Sequence, residues 1–168
     1  MAREEKPLHG MTPPSYEDLF ARNYGIFSEA RQERLRRASV LIVGCGGIGG
    51  TVAIILARSG VGRFVLVDFD RYEPTNMNRQ IACFADTLGR NKALVIGEQI
   101  EKINPEAVIE IHDRLLDHTR IASLIPGVDI VFRPPMILPS ASWCSGMHRS
   151  LAGWRCWPFP PGPGRTSA

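Results

Sequence analysis

The stretch VDFDRYEPTNMNRQ, residues 67–80, sets Asp68 and Asp70 ahead of Asn76, Asn78, Arg79 and Gln80. Upstream of it, GCGGIGG at 44–50 satisfies G-x-G-x-x-G, and downstream Lys92 opens a run with helical spacing. Each residue type suits one part of a phosphorylated ligand. Gly44 permits a tight turn, Gly46 lets backbone approach a phosphate, and Gly49 allows close helix–strand packing. The helix that follows offers free N–H groups to an anion. An acid placed like Asp68 accepts hydrogen bonds from a ribose. Glycines that serve packing alone are the bland alternative, and the strand–helix context argues against it.

The loop and acid by themselves do not choose between NAD and ATP. The choice comes from Asn76, Arg79, Gln80 and Lys92. Arg and Lys neutralise phosphate oxygens while amides fix their orientation, which suits a triphosphate. A dehydrogenase has no use for that set at this point in the chain. An isolated Arg79 or Lys92 reads as a solvated surface charge; four matched positions do not.

These residues need elements to position them. SVLIVGC (39–45) and RFVLVDFD (63–70) are apolar and β-rich, and helical spacing of Ile48, Val52, Ile55 and Leu56 lies between them. SEARQERLRRA from Ser28 reads as a helix with Ser28 as N-cap, and GRNKALVIGEQIEKIN (89–104) as another. AVIEIHD (107–113) and VDIVF (128–132) are two more strands, with a short helix over 118–125. The alternation predicts an α/β fold: a Rossmann-like parallel sheet with helices on both faces, incomplete at its C-terminal end.

Length and composition narrow the class. A chain of 168 residues and 18.6 kDa suits one domain with a real core. No apolar run approaches a membrane span, and MAREEKPLHG lacks a secretory apolar region. Cys45, Cys83, Cys144 and Cys156 form no C-x-x-C pair, so the expectation is a reducing cytoplasm without disulfide framework or zinc ribbon. His112 on a strand and His118 near a helix start fall in no pattern that reads as a ligand or a base. The net charge of +3 belongs to the end of the chain: residues 1–132 sum to −1, and 133–168 add four arginines with no acid. That distribution gives no organised basic face, so no nucleic-acid partner is expected.

G-x-G-G-x-G, then D-x-D, then N-x-N-R-Q, then a lysine opening a helix resembles the ThiF/MoeB/HesA-type adenylyltransferases. These are relatives of the ubiquitin-activating enzymes. The resemblance runs from about Arg22 to Phe132 and includes ARSGVGRFVLVDFD and the helix-ending INP at 103–105. It implies a homodimeric Rossmann-like domain that uses ATP and Mg2+. The substrate it implies is the C-terminal glycine of a small ubiquitin-like or sulfur-carrier protein. Carried over, Gly44, Gly46, Gly47 and Gly49 form the phosphate loop and Asp68 holds the ribose. Asn76, Arg79 and Lys92 contact the triphosphate, Gln80 completes the motif, and Asp70 supports the loop. Arg22, in ARNYG, resembles an arginine that reaches phosphates across the dimer interface.

After its fourth strand the family reads roughly D-x-V-x-D-x-x-D, and the last acid binds the metal. Here the segment is DIVFRPPM, with Asp129 present but Arg133 and Met136 at the two later acids. No metal-binding acid is found. Residues 133–168 hold all three tryptophans and no Asp, Glu or Lys, and they look like a shifted reading frame. The expected organisation is a flexible arm over 1–21, the ATP-binding domain over 22–132 and an aberrant tail over 133–168. The expected function is ATP-dependent adenylyl transfer. The alternatives are a non-catalytic nucleotide-binding or dimerisation module, and an NAD-dependent oxidoreductase.

Overall fold

A computed structural model describes residues 14–133. Its elements follow the chain in the order α1 (Tyr16–Leu19), α2 (Glu29–Arg37), β1 (Ser39–Val43), α3 (Gly47–Arg58), β2 (Arg63–Val67), α4 (Lys92–Ile103), β3 (Val108–His112), α5 (His118–Leu124) and β4 (Ile130–Phe132). The four strands form one sheet in the order β3-β2-β1-β4, and every pairing is parallel. The chain therefore leaves β1 towards β2 and β3, then returns to β1's other side with β4. Ligands of doubly wound sheets bind outside the carboxyl ends of the strands at such a reversal.

Alternation along the strands builds two cores. Val40, Ile42, Phe64 and Leu66 pack against Ala53, Ile54 and Ala57 of α3 and Val95, Ile96 and Ile100 of α4. Leu41, Val65 and Val67 face the other way and meet Ile125 and Val128, with Leu124 and Val131 beside them. Helices thus lie on both faces, as expected.

Two strands stop earlier than their apolar runs suggest. β1 ends at Val43 because Gly44 turns the chain with φ of +100°, a conformation L side chains rarely adopt. β2 ends at Val67 because the Asp68 carboxylate accepts the Asp70 N–H at 2.9 Å, a local turn that competes with the sheet. α4 begins at Lys92, not at residue 89, because Asn91 caps it.

The expected arm needs correction over its last residues. Ser15 and Asp18 form a reciprocal capping box that starts α1, and Tyr16 and Phe20 are buried. Tyr16 Oη donates to Gly60 O at 2.6 Å and accepts from Gln32 Nε2 at 2.9 Å. Arg36 lies over the Tyr16 ring, 4.5 Å from its centre. The packed unit thus takes in residues 15–21, because an aromatic anchor and a buried amide satisfy each other there. The expectations for residues 1–13 and for the tail from 134 on, with Met136, Cys144 and Cys156, lie outside the described residues.

Candidate nucleotide-binding site

The glycine-rich turn joins β1 to α3 at the carboxyl edge of the sheet. Gly49 has no room for a side chain: a Cβ there would sit 1.8 Å from Gly44 O. The helix therefore starts hard against the strand that feeds it. Gly46 is the N-cap of α3 and provides no side-chain cap, so the first N–H groups of this helix keep their capacity for an anion.

Asp68 sits beside this turn, buried. Its Oδ2 accepts the Cys45 N–H at 2.7 Å and its Oδ1 the Asp70 N–H at 2.9 Å. Burial pushes its carboxyl above the usual carboxylate range, against the pull of those two N–H groups and of Lys92. Each carboxylate oxygen retains a lone pair for a ligand hydroxyl. Cys45, buried inside the turn, has its thiol pushed far up by desolvation and then by Asp68, which makes it packing rather than a nucleophile.

The N-x-N-R-Q segment lies against the glycine turn. Gln80 is only 7% exposed, and its carboxamide faces Gly46: a Cβ there would stand 3.7 Å from Gln80 Oε1. That oxygen is buried with no hydrogen-bond partner. A Cβ on Gly47 would stand 3.5 Å from the Arg79 carbonyl oxygen. The Arg79 side chain turns away and donates to Thr75 O at 2.8 Å and Asn78 Oδ1 at 3.0 Å. It is exposed. Asn76 is buried, and its Oδ1 accepts the Glu73 N–H at 3.2 Å, so its amide shapes this turn rather than facing the glycines.

Lys92, at the first position of α4, is buried and pairs with Asp70 at 3.1 Å. Asp70 thus supplies the counter-charge for a buried ammonium. Arg22 is not brought to these residues. It is exposed on a 3₁₀ turn, Ala21–Gly25, whose Asn23 donates to Ser59 O at 3.3 Å, at the far end of α3 from Gly46. Sequence reasoning missed Asn91, which sits between Asp68 and Lys92. The signal was an asparagine directly before the helical run, the usual N-cap residue.

Among the described residues, no group of three or more His, Cys, Asp or Glu is placed to hold a metal ion. No helix among them is long and apolar enough to cross a membrane.

Comparison with known proteins agrees with this geometry. The model of the ThiF family matches residues 20–134. The tRNA threonylcarbamoyladenosine dehydratase of Haemophilus influenzae is 37% identical over 99 residues, 59% of this chain and 38% of that protein. The sulfur carrier protein adenylyltransferase of Thermus thermophilus is 37% identical over 100 residues, 60% of this chain and 37% of that protein. Among solved structures, E. coli tRNA N6-threonylcarbamoyladenosine dehydratase in complex with ATP superposes with a TM-score of 0.68 at 31% identity. It covers 73% of this chain and 51% of that one. This chain therefore spans well under half the length of those two curated relatives. The sheet order, the glycine turn and the match over 20–134 place it: the chain belongs to the ThiF family.

Proposed function

We propose that residues 22–132 form the ATP-binding half of an ATP-dependent adenylyltransferase. Its second substrate is the C-terminal glycine carboxylate of a small ubiquitin-like or sulfur-carrier protein. The observation that carries this reading is the Gln80 carboxamide. It holds a partnerless buried oxygen against the end of a helix whose N–H groups no side chain caps. A nucleotide supplies anionic oxygens for those N–H groups and hydroxyls for the open acceptors. A relative named as a sulfur carrier protein adenylyltransferase, and a related structure holding ATP, support the same choice.

In this reading the turn from Gly44 through Gly46 and Gly47 to Gly49 cradles phosphate, and Asp68 takes the ribose hydroxyls. Lys92 and Arg79 neutralise the triphosphate, and Asn76 keeps the turn that presents Arg79 and Gln80. The carrier carboxylate attacks the α-phosphorus; a P–O bond forms there as the bond to pyrophosphate breaks. The chain's contribution is position and charge neutralisation. Mg2+ has no fitting donor set among the described residues, since Asp70 is engaged by Lys92 and the expected acid falls at Met136. No step is routed through it.

Arg22 serves the site of a second copy. Its turn is pinned at one end of α3 and the glycines lie at the other, about 18 Å away along a helix of this length. Ile48 and Ile55 on the outer side of α3, each 57% exposed, supply apolar surface for such a homodimer. Cys45 and Cys83, both free and buried, suit a reducing cytoplasm.

Calorimetric titration of the chain with ATP, and separately with NAD, tests the reading. ATP binds more tightly, and Arg79→Ala weakens it about tenfold or more, since a charge-assisted contact is worth about 1.5–3 kcal/mol. Tighter NAD binding that ignores Arg79→Ala overturns it. A second reading, a nucleotide-binding or dimerisation module without turnover, is favoured by Met136 standing where the family pattern has its last acid. ATP–pyrophosphate exchange with a carrier present separates the two.

A further inference from the structure

Asn91 is among the most completely used polar side chains next to the site. It is 5% exposed, and it touches three parts of the chain at once. Its Oδ1 accepts the Leu94 N–H at 3.1 Å and so caps α4. Its Nδ2 donates to Asp68 O at 2.8 Å and to Asp70 O at 3.2 Å. Main-chain bonds run alongside: Lys92 N donates to Asp70 O at 2.9 Å, and Arg71 and Asn91 form an isolated antiparallel bridge. The acid at the end of β2 and the lysine at the start of α4 are 24 positions apart in sequence. This amide joins them directly.

We infer that Asn91 is a positioning residue for the nucleotide site, setting Asp68 and Lys92 in one fixed relation. The inference rests on the ATP-binding reading above. Chemistry selects the residue type. Only an amide carries an acceptor for the helix N–H together with two donors for the carbonyls. Serine caps a helix equally well but cannot donate to both carbonyls. Aspartate caps it too, yet sets a second oxygen against the carbonyl oxygens of Asp68 and Asp70. A residue needed only as a cap tolerates either replacement. A residue that spaces the acid from the lysine tolerates neither.

The distinction shows in binding by the folded chain, beside the stability that the two hydrogen bonds contribute. With Asn91→Ser the cap survives, while the 68–70 turn loses its tie to α4 and Lys92 loses its fixed distance from Asp68. A preorganised site gives up affinity when such a tie goes. Because Asn91 acts partly through Lys92, its effect must shrink once Lys92 is gone.

The experiment is a double-mutant cycle on the full chain: Asn91→Ser, Lys92→Ala and both together. ATP affinity is read by calorimetry and stability by urea denaturation. The expected result is ATP binding about tenfold weaker in Asn91→Ser, read well below its urea midpoint because losing the two hydrogen bonds lowers that midpoint too, and a loss of about threefold or less when Lys92→Ala is already present. Asn91→Thr, uncharged and still a cap, replaces it in the cycle if Asn91→Ser does not fold, with the same expected pattern. Unchanged ATP affinity in the folded variant overturns the positioning role, and so does an equal loss in both backgrounds. If the unsubstituted chain does not bind ATP, the nucleotide reading itself is overturned and this inference falls with it.

Discussion

The N-termini of α3 and α4 both sit at the carboxyl edge of the sheet, and the chain finishes them in opposite ways. α3 starts at a glycine with no side-chain cap, packed so closely that Gly49 lies against Gly44 O. α4 starts at an asparagine whose amide is fully engaged and which delivers a buried, paired lysine. One end keeps its N–H groups for a ligand; the other closes them and contributes a side chain instead. On the proposed reading, one helix end is left open for phosphate and the other is secured to present a cation.

The sharpest way to break this comparison is to add one methyl group to each helix. Gly49→Ala drives a Cβ into the Gly44 carbonyl, which is backbone and has nowhere to go. About 3 kcal/mol or more of destabilisation is expected. Gly97→Ala, in the middle of α4, meets the Ile111 Cδ1 at 2.8 Å, the end of a side chain that can shift. About 1 kcal/mol or less is expected there. Urea denaturation of the two variants checks the ranking, and equal midpoints would remove the special status of the α3 end.

Nucleotide affinity sharpens the contrast next. Lys92→Ala removes the cation that α4 contributes and leaves Asp70 to water. On the proposed reading, in which Lys92 neutralises the triphosphate, ATP affinity should fall about tenfold or more, with a smaller loss for AMP. Competition binding with the two nucleotides measures the split.

The pH dependence follows from Asp68. Its carboxyl is raised by burial, so its neutral form favours the folded state. That contribution is complete below the unfolded value and is lost as pH rises through the folded one. On the proposed reading ATP binding runs the other way, since ribose hydroxyls donate best to the ionised acid. Affinity should decline as pH falls from about 7 to about 4, beginning above the range of an ordinary carboxylate. Asp68→Asn should flatten this profile, as pH-dependent calorimetry would show.

The smallest stability effect separates the outer faces of the two helices. Ile55→Lys on α3 should change the chain's stability by about 0.5 kcal/mol or less, since Ile55 is exposed. If α3 is covered by a second copy, the same change should shift the chain to monomer in sedimentation. A dimer that survives it would place the interface elsewhere.

The order of elements and most of the residues of the candidate site were legible from the sequence because both rest on local rules. Apolar alternation and helical spacing mark β1 to β4 and the helices between them, and glycines, acid, amides and cations at fixed spacing mark a phosphate site. What escaped were the contacts that join distant residues. The sequence does not say that Tyr16 and Gln32 would lock residues 15–21 onto the end of α3, or that Asn76 would turn inward while Gln80 faced Gly46. Nor does it say that Asn91 would hold Asp68 to Lys92. A buried polar side chain is determined by which backbone groups its fold leaves unpaired, and those are known only once the strands and helices are packed.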